Sequence, residues 1–314
     1  MIKQITSHIM MVRPASFRYN AQTAENNFYQ KVLEGLSDED ANKMAQEEFD
    51  SFVEKLRSEG INVYVFQDSS EPDTPDSVFP NNWVSFHDDG KIVMYPIYAE
   101  NRRLERREEI FEILADDFGF KVEEIQDLTH FEDEGLFLEG TGSMILDREN
   151  KIAYAAISDR TDFHVLETFC DHLDYEAIAF TANQTVNGRR LPIYHTNVMM
   201  CLGTKFSVIC MNSIDDPQDR KVVKNALKES GKKIIEITED QNGHFAGNML
   251  SVANEKGDEY CVMSSAAHKS LRTDQIEAIE KHAKIIHSSL DTIEALGGGS
   301  ARCMMAEIFL PKQI

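Results

Sequence analysis

Apolar residues in this chain fall mostly in short runs, broken at near-regular intervals by Gly, Pro, Asn and Asp. Runs of this length, rich in β-branched and aromatic side chains and bounded by turn residues, predict strands. The first covers 8–12 and ends at Arg13-Pro14. The polar stretch 16–27 has the spacing of a functional loop. Ser37-Asp38-Glu39-Asp40 reads as a helix start, with Ser37 as cap and acidic residues in the first turn, and the helix is expected to run to residue 58 and stop at Gly60. Residues 61–66 predict a strand. Residues 71–80 carry Pro72, Pro75 and Pro80 and predict a loop.

From residue 83 onward one unit repeats: two strands in a hairpin, a helix, then a strand. The first unit has strands over 83–86 and 92–95, a charged amphipathic helix over 102–118 and a strand over 122–128. The second has strands over 143–146 and 152–155, a helix over 159–172 and a strand over 175–180. The third opens at 198–201, returns through 206–210, has a helix from Pro217 and ends in a strand over 233–237. The fourth opens at 249–252, returns through 260–263, has a helix after Thr273 and ends at 284–287. The fifth opens at 303–306 and then the chain runs out, so the N-terminal strand is its expected partner. The period is roughly 50–60 residues, and the logic is that of repeat architectures closed into a ring, which leaves no sheet edge exposed. One domain over 1–314 is expected, with the segments that open each unit converging on a shared centre.

Those opening segments carry the candidate chemistry. They are Phe79-Pro80-Asn81-Asn82, then Leu138-Glu139-Gly140-Thr141-Gly142, then Tyr194-His195-Thr196-Asn197, then His244-Phe245-Ala246-Gly247-Asn248, and finally Gly297-Gly298-Gly299 followed by Arg302 and Cys303. A shared centre brings thiol, imidazole and carboxylate together in Cys303, His195 and Glu139, the arrangement of a cysteine nucleophile with its base. Asn recurs at three of the openings, where it also serves simply as a turn residue, and Asn248 has no chemistry assigned to it.

Composition narrows the field. With 54 acidic against 32 basic residues the formal charge is −22, which repels nucleic acid and anionic membrane surfaces. The five cysteines are odd in number and lack a CxxC pair, so neither a disulfide framework nor a structural zinc site is expected. The methionine-rich runs at Met199-Met200 and Met304-Met305 read as core, and no metal or cofactor is expected. No basic start with a long apolar core opens the chain and no run reaches the length of a membrane span, so a cytoplasmic protein is expected.

The repeat, LEGTGS at 138–143, HTN at 195–197 and GGGSARCM at 297–304 together resemble the amidinotransferase, or guanidino-group-modifying, superfamily. The resemblance covers essentially the whole chain. It implies an α/β fold, the five-fold pseudo-symmetric propeller called the pentein fold. It also implies Cys303 as nucleophile, His195 as general acid/base and Glu139 as the carboxylate holding substrate nitrogens. The run Asp76-Ser77-Val78-Phe79 is similar to a family loop in which the aspartate binds a substrate α-ammonium.

The chain departs from the deiminase pattern at Asn82 and Asn197, where carboxylates would face a guanidinium. A guanidinium is a cation with donors only, whereas a ureido group is neutral and offers both a carbonyl and N–H groups to a carboxamide. Among relatives the chain therefore looks most like the citrulline-utilisation hydrolases. The expected reaction converts citrulline to ornithine, ammonia and carbon dioxide through a thiocarbamoyl enzyme, with Asn82, Asn197, Asp76, Arg190 and Asn81 binding the substrate. An arginine or methylarginine deiminase is the alternative, and a non-catalytic five-fold binding module a remote one. For the substrate carboxylate the candidates are Arg13, Arg18, Arg189, Arg190 and Arg302, with Arg190 slightly favoured because its loop leads to His195. The expected partner is a small amino-acid substrate; a homodimer is left open.

Overall fold

The structure, a computed structural model, describes residues 3–313. Seventeen strands follow in chain order: β1 (His8–Arg13), β2 (Asn62–Gln67), β3 (Val84–Phe86), β4 (Lys91–Met94), β5 (Glu124–Asp127), β6 (Met144–Asp147), β7 (Ile152–Ala156), β8 (Glu176–Phe180), β9 (Asn183–Val186), β10 (Arg189–Pro192), β11 (Met200–Leu202), β12 (Phe206–Ile209), β13 (Lys233–Glu236), β14 (Leu250–Ala253), β15 (Glu259–Ser264), β16 (Lys284–Ser288) and β17 (Ala306–Glu307).

Fifteen of the strands form five three-stranded sheets of one pattern. In each, a middle strand pairs antiparallel with one neighbour and parallel with the other: β4 with β3 and β5, β7 with β6 and β8, β12 with β11 and β13, β15 with β14 and β16. The fifth sheet joins the two ends of the chain. There β1 runs parallel to β2 and antiparallel to β17, with Ile9 opposite Glu307 and Met10 opposite Ala306. The molecule is thus a mixed α/β fold of small sheets.

Helices cover the parallel crossovers, as parallel pairing requires. In Asp38–Ser58 the buried residues Ala41, Ala45, Phe49, Phe52, Val53 and Leu56 recur at helical spacing, and the Ser37 hydroxyl accepts from the Asp40 N–H at 3.1 Å. This apolar stripe shares a core with Val63, Val252 and Ile286, so one core joins the fourth unit to the sheet made by the two ends of the chain. The strands that open the units, β3, β6 and β11, are buried along their whole length, the polar Ser85 and Asp147 included.

Three sequence expectations are corrected. The helix expected over 102–118 is a 3-10 helix, Glu100–Glu105, followed by an α-helix, Glu109–Asp116. Arg102 and Glu105 are buried and paired with each other, so this stretch is not the solvated face of one surface helix. The fifth opening strand begins at Ala306 rather than at residue 303, and Cys303 sits in the turn before it. The polar hairpin of β9 and β10 has no counterpart in the expected repeat, because it lacks an apolar run.

Candidate active site

Each opening strand is preceded by a tight helical turn or loop, and these place the candidate side chains. Pro80–Asn82, Gly140–Ser143 and Thr196–Met199 are single turns that pack against one another in series. Glu139 and His195 stand immediately before the second and third, at equivalent positions. In the last unit, helix Asp291–Gly297 ends at Gly298, whose φ of 63° is left-handed, and the chain turns there toward Cys303. The Tyr194 hydroxyl donates to the Gly298 carbonyl at 2.6 Å and fastens that turn to the segment bearing His195.

A small, tight cavity lies where these segments meet, lined among others by Asp76, Asn82, Arg102, Arg160, His195 and Cys303. Thr23 and Asn27 also line it, so the polar stretch after β1 roofs the site. Asn27 reaches the carbonyls of Gly297 and Gly298, each at 3.3 Å. A larger, more open cleft of about 570 Å³, lined by residues such as His8, Glu255 and Lys312, contains no cysteine.

Glu139 is the hub. Its Oε2 lies 2.8 Å from His195 Nε2 and 3.5 Å from Arg160 Nη1, and its Oε1 accepts from the Tyr98 N–H at 3.0 Å. Burial raises the proton affinity of Glu139, but the charge of Arg160, the His195 hydrogen bond and Arg102 outweigh it, so the carboxyl is held well below its usual range. For His195, burial lowers the pKa most; the Glu139 bond opposes this, Arg160 and Arg102 add to it, and the result is about 4. Near neutrality the pair is therefore an ionised carboxylate and a neutral imidazole. Nε2–H donates to Glu139, which leaves Nδ1 with its lone pair.

Cys303 is 97% buried, with 3% of its surface exposed, and two carboxamides address its sulfur: Asn197 Nδ2 at 3.4 Å and Asn248 Nδ2 at 3.3 Å. The oxygen of Asn197 has no hydrogen-bond partner among the described residues. Asn82 lines the cavity with its oxygen accepting from Arg102 Nη1 at 2.8 Å and its nitrogen donating to Asn81 at 3.2 Å. Asn81 donates to Thr141 and supports Asn82 from behind rather than lining the cavity. Asp76 is buried in the cavity wall; Asn20 and Thr23 donate to its Oδ2 at 2.7 and 3.0 Å, and its Oδ1 has no partner among the described residues. Burial pushes the Asp76 carboxyl up, against the pull of Arg102, Asn20 and Thr23.

Arg190 is a correction. It lies on the exposed hairpin of β9 and β10, paired with Asp215 and Glu239, and does not line the cavity. Arg13 pairs with Asp50 and Arg18 with Asp73, both toward solvent; Arg189 is exposed. Arg302 turns away from the cavity to Glu307 and the Met305 carbonyl. The arginines that do line it are Arg102 and Arg160. All of Arg102's nitrogens are used by Glu105, Asn82 and the Phe79 carbonyl. Arg160 spends Nε and Nη2 on Asn26 and Thr23, leaving Nη1 with only the Glu139 contact. Sequence reasoning missed both because nothing local distinguishes a buried arginine from a surface one.

The family model described as N,N dimethylarginine dimethylhydrolase, eukaryotic, matches residues 13–310. The chain belongs to this family. No curated protein sequence matches it. Among solved structures, apo ArgZ, an arginine dihydrolase from the ornithine-ammonia cycle in cyanobacteria, superposes with a TM-score of 0.73 at 19% identity over 98% of this chain. The match spans 41% of the ArgZ chain, about two-fifths of its length. The N-terminal domain of ArgZ bound to product is covered completely, at a TM-score of 0.69 and 19% identity over 98% of this chain. A dimethylarginine dimethylaminohydrolase carrying an S-methyl-L-thiocitrulline adduct matches with a TM-score of 0.65 at 15% identity, over 97% of this chain and 100% of that one. These likenesses are of fold. With the family match they place the chain in the pentein superfamily. No helix among the described residues is long and apolar enough to cross a membrane, and no cluster of metal-binding side chains occurs among them.

Proposed function

We propose that the five sheets form one five-fold α/β propeller domain around the cavity, and that the protein hydrolyses the ureido group of citrulline with Cys303 as nucleophile. The observation that carries the substrate assignment is the Asn197 carboxamide beside the sulfur, whose oxygen has no partner among the described residues. The carboxylate nearest in the network, Glu139, is already committed to His195 and Arg160. A guanidinium buried here without its own carboxylates would lose about 3–5 kcal/mol, whereas a ureido carbonyl and its N–H groups match carboxamides.

In the proposed mechanism the Cys303 thiolate attacks the ureido carbon, forming the S–C bond. Amide donors stabilise the charge developing on oxygen. His195, which takes the Cys303 thiol proton on Nδ1 as the thiolate forms, passes that proton to the nitrogen whose bond to carbon breaks. The same imidazole then takes a proton from water; the resulting hydroxide attacks the thiocarbamoyl carbon and the thiolate leaves. Carbamic acid breaks down to ammonia and carbon dioxide, and ornithine is the other product. At the far end, the unpartnered Asp76 Oδ1 suits an α-ammonium and Arg160 Nη1 an α-carboxylate.

A second reading takes a guanidine as substrate, either arginine or a methylated arginine. It is favoured by the family match and by the orphaned Asp76 oxygen, which would serve a cation of either kind. One assay separates the two. The protein is offered citrulline, arginine and dimethylarginine while ornithine, citrulline, ammonia and dimethylamine are measured. Ornithine from citrulline supports the first reading; citrulline or dimethylamine from the guanidines supports the second. Cys303→Ser should abolish turnover of every substrate, and substantial residual turnover would remove both.

A further inference from the structure

Asn248 looks at first like a turn asparagine before β14, but its three hydrogen bonds leave it no freedom. Its Oδ1 accepts from the backbone N–H of Arg302 at 3.0 Å. A backbone N–H only donates, so this bond fixes which end of the carboxamide is oxygen. The nitrogen then faces the Asn197 carbonyl at 3.0 Å and the Cys303 sulfur at 3.3 Å, one hydrogen for each. The turn itself cannot shift easily, since a Cβ on neighbouring Gly247 would stand 2.3 Å from the Val198 carbonyl oxygen. Asn197 is different: it also donates to the sulfur, but its oxygen is unpartnered and no bond prevents the amide from turning over.

A locked donor stabilises a sulfur anion more than a neutral thiol, which is a weak acceptor. In a cysteine hydrolase the anion occurs twice, before attack and when the thioester-like intermediate releases sulfur. A donor that needs no reorientation lowers the barrier at both points. We propose that Asn248 is a catalytic residue whose fixed carboxamide holds the Cys303 sulfur and favours its thiolate, with Asn197 as the adjustable partner that turns to the substrate. This rests on the reading of Cys303 as nucleophile. The titratable and charged groups facing the same cavity are His195, Asp76, Arg102, Arg160 and Tyr194, with Glu139 bonded to His195, and none of them hydrogen-bonds the Asn248 side chain.

The test compares wild type with Asn248→Asp and Asn248→Ser. Asn248→Asp keeps the shape and the acceptor for Arg302 N–H but presents oxygen where the donor was. Alkylation of Cys303 by iodoacetamide is followed by mass spectrometry of its peptide between about pH 5 and 9, alongside steady-state turnover of citrulline and arginine. The expected result is alkylation about tenfold slower near neutral pH, a profile displaced to higher pH, and kcat down about 100-fold with KM within about twofold. Alkylation profiles that overlay wild type, or a loss confined to KM, would overturn the proposal. If the Asp variant does not fold, the Ser variant gives the same comparison. If neither folds, the Asn248 side-chain amide resonance of the wild type decides it, by shifting or not shifting when Cys303 is alkylated. Full turnover by Cys303→Ala would instead remove the nucleophile reading, whatever the alkylation shows.

Discussion

At the scale of single residues, the centre of the chemistry is a proton that His195 does not carry. Burial and two nearby guanidiniums hold its pKa down to about 4, while Glu139 alone works to raise it. Replacing Glu139 with Gln keeps a hydrogen-bonding group beside Nε2 and removes the charge. The His195 titration, followed by NMR, should then fall below its wild-type position. The rate constant kcat should drop about 100-fold, the lower end of what a positioned acid–base is worth. A His195 titration that stays put would contradict the electrostatic account. Cys303, His195 and Glu139 were legible from motifs because their neighbours in sequence are unusual: a triglycine run, HTN and EGTG. Asn248, Arg102 and Arg160 were not legible. Their roles depend on which atoms face them from other parts of the chain, as in Arg160 against Glu139 and Asn26. Arg190 was chosen for its closeness in sequence to His195, but a hairpin turns it outward to Asp215 and Glu239.

At the scale of elements, the recurring device is a helical turn set just before a buried strand, which aims the side chain at its N-terminal edge. It works only if the turns pack closely, and Gly142 shows how closely. A Cβ there would lie 2.4 Å from Asn82 Nδ2 and 2.8 Å from the His195 ring. Gly142→Ala must push one of those side chains aside, at a cost typical of overpacking, about 1–3 kcal/mol. Activity should fall much further than that stability loss implies, since His195 is the group displaced. Thermal melting together with kcat on one preparation checks this, and an unchanged kcat would show that the turns can move apart. The helices expected from amphipathic periodicity formed where one face meets solvent, as in Asp38–Ser58. The expectation failed over 102–118 because Arg102 and Glu105, polar in sequence, are interior.

At the scale of the whole molecule, the ends of the chain complete one sheet. Deleting 306–313 removes β17 from β1 and takes Ala306, Ile308 and Leu310 out of the core. We expect the truncated chain to lose cooperative melting by near-UV circular dichroism; a melt like that of the intact chain would mean the fifth sheet is dispensable.

The buried charges set a second global property. His195, depressed from 6.5 to about 4, contributes stability that is present above 6.5 and lost as pH falls toward 4. Glu105, pushed up by burial from 4.5 to about 7 against its pairing with Arg102, has the opposite sign: its contribution is present below 4.5 and lost as pH rises through 7. Glu294, raised by burial to about 7, adds to Glu105, and His87, lowered by burial, adds to His195, so slopes of opposite sign offset one another in the wild type. His195→Asn should unmask the Glu105 slope, with denaturant midpoints falling as pH rises from 4.5 toward 7. A slope rising with pH in that variant would reverse the assignment.

The sequence by itself determined the order of the repeat, since alternation of short apolar runs with turn residues is a local property. It also singled out Cys303, His195 and Glu139, because their flanking glycines and turn residues mark them locally. The tertiary structure decided everything that depends on which groups share a buried volume: the two guanidiniums that hold His195 neutral, the orphaned oxygen of Asp76, and the locked amide on Cys303. Burial and Coulomb energy act through distance in space, and two residues fifty or a hundred positions apart leave no trace in sequence of lying within 4 Å of each other.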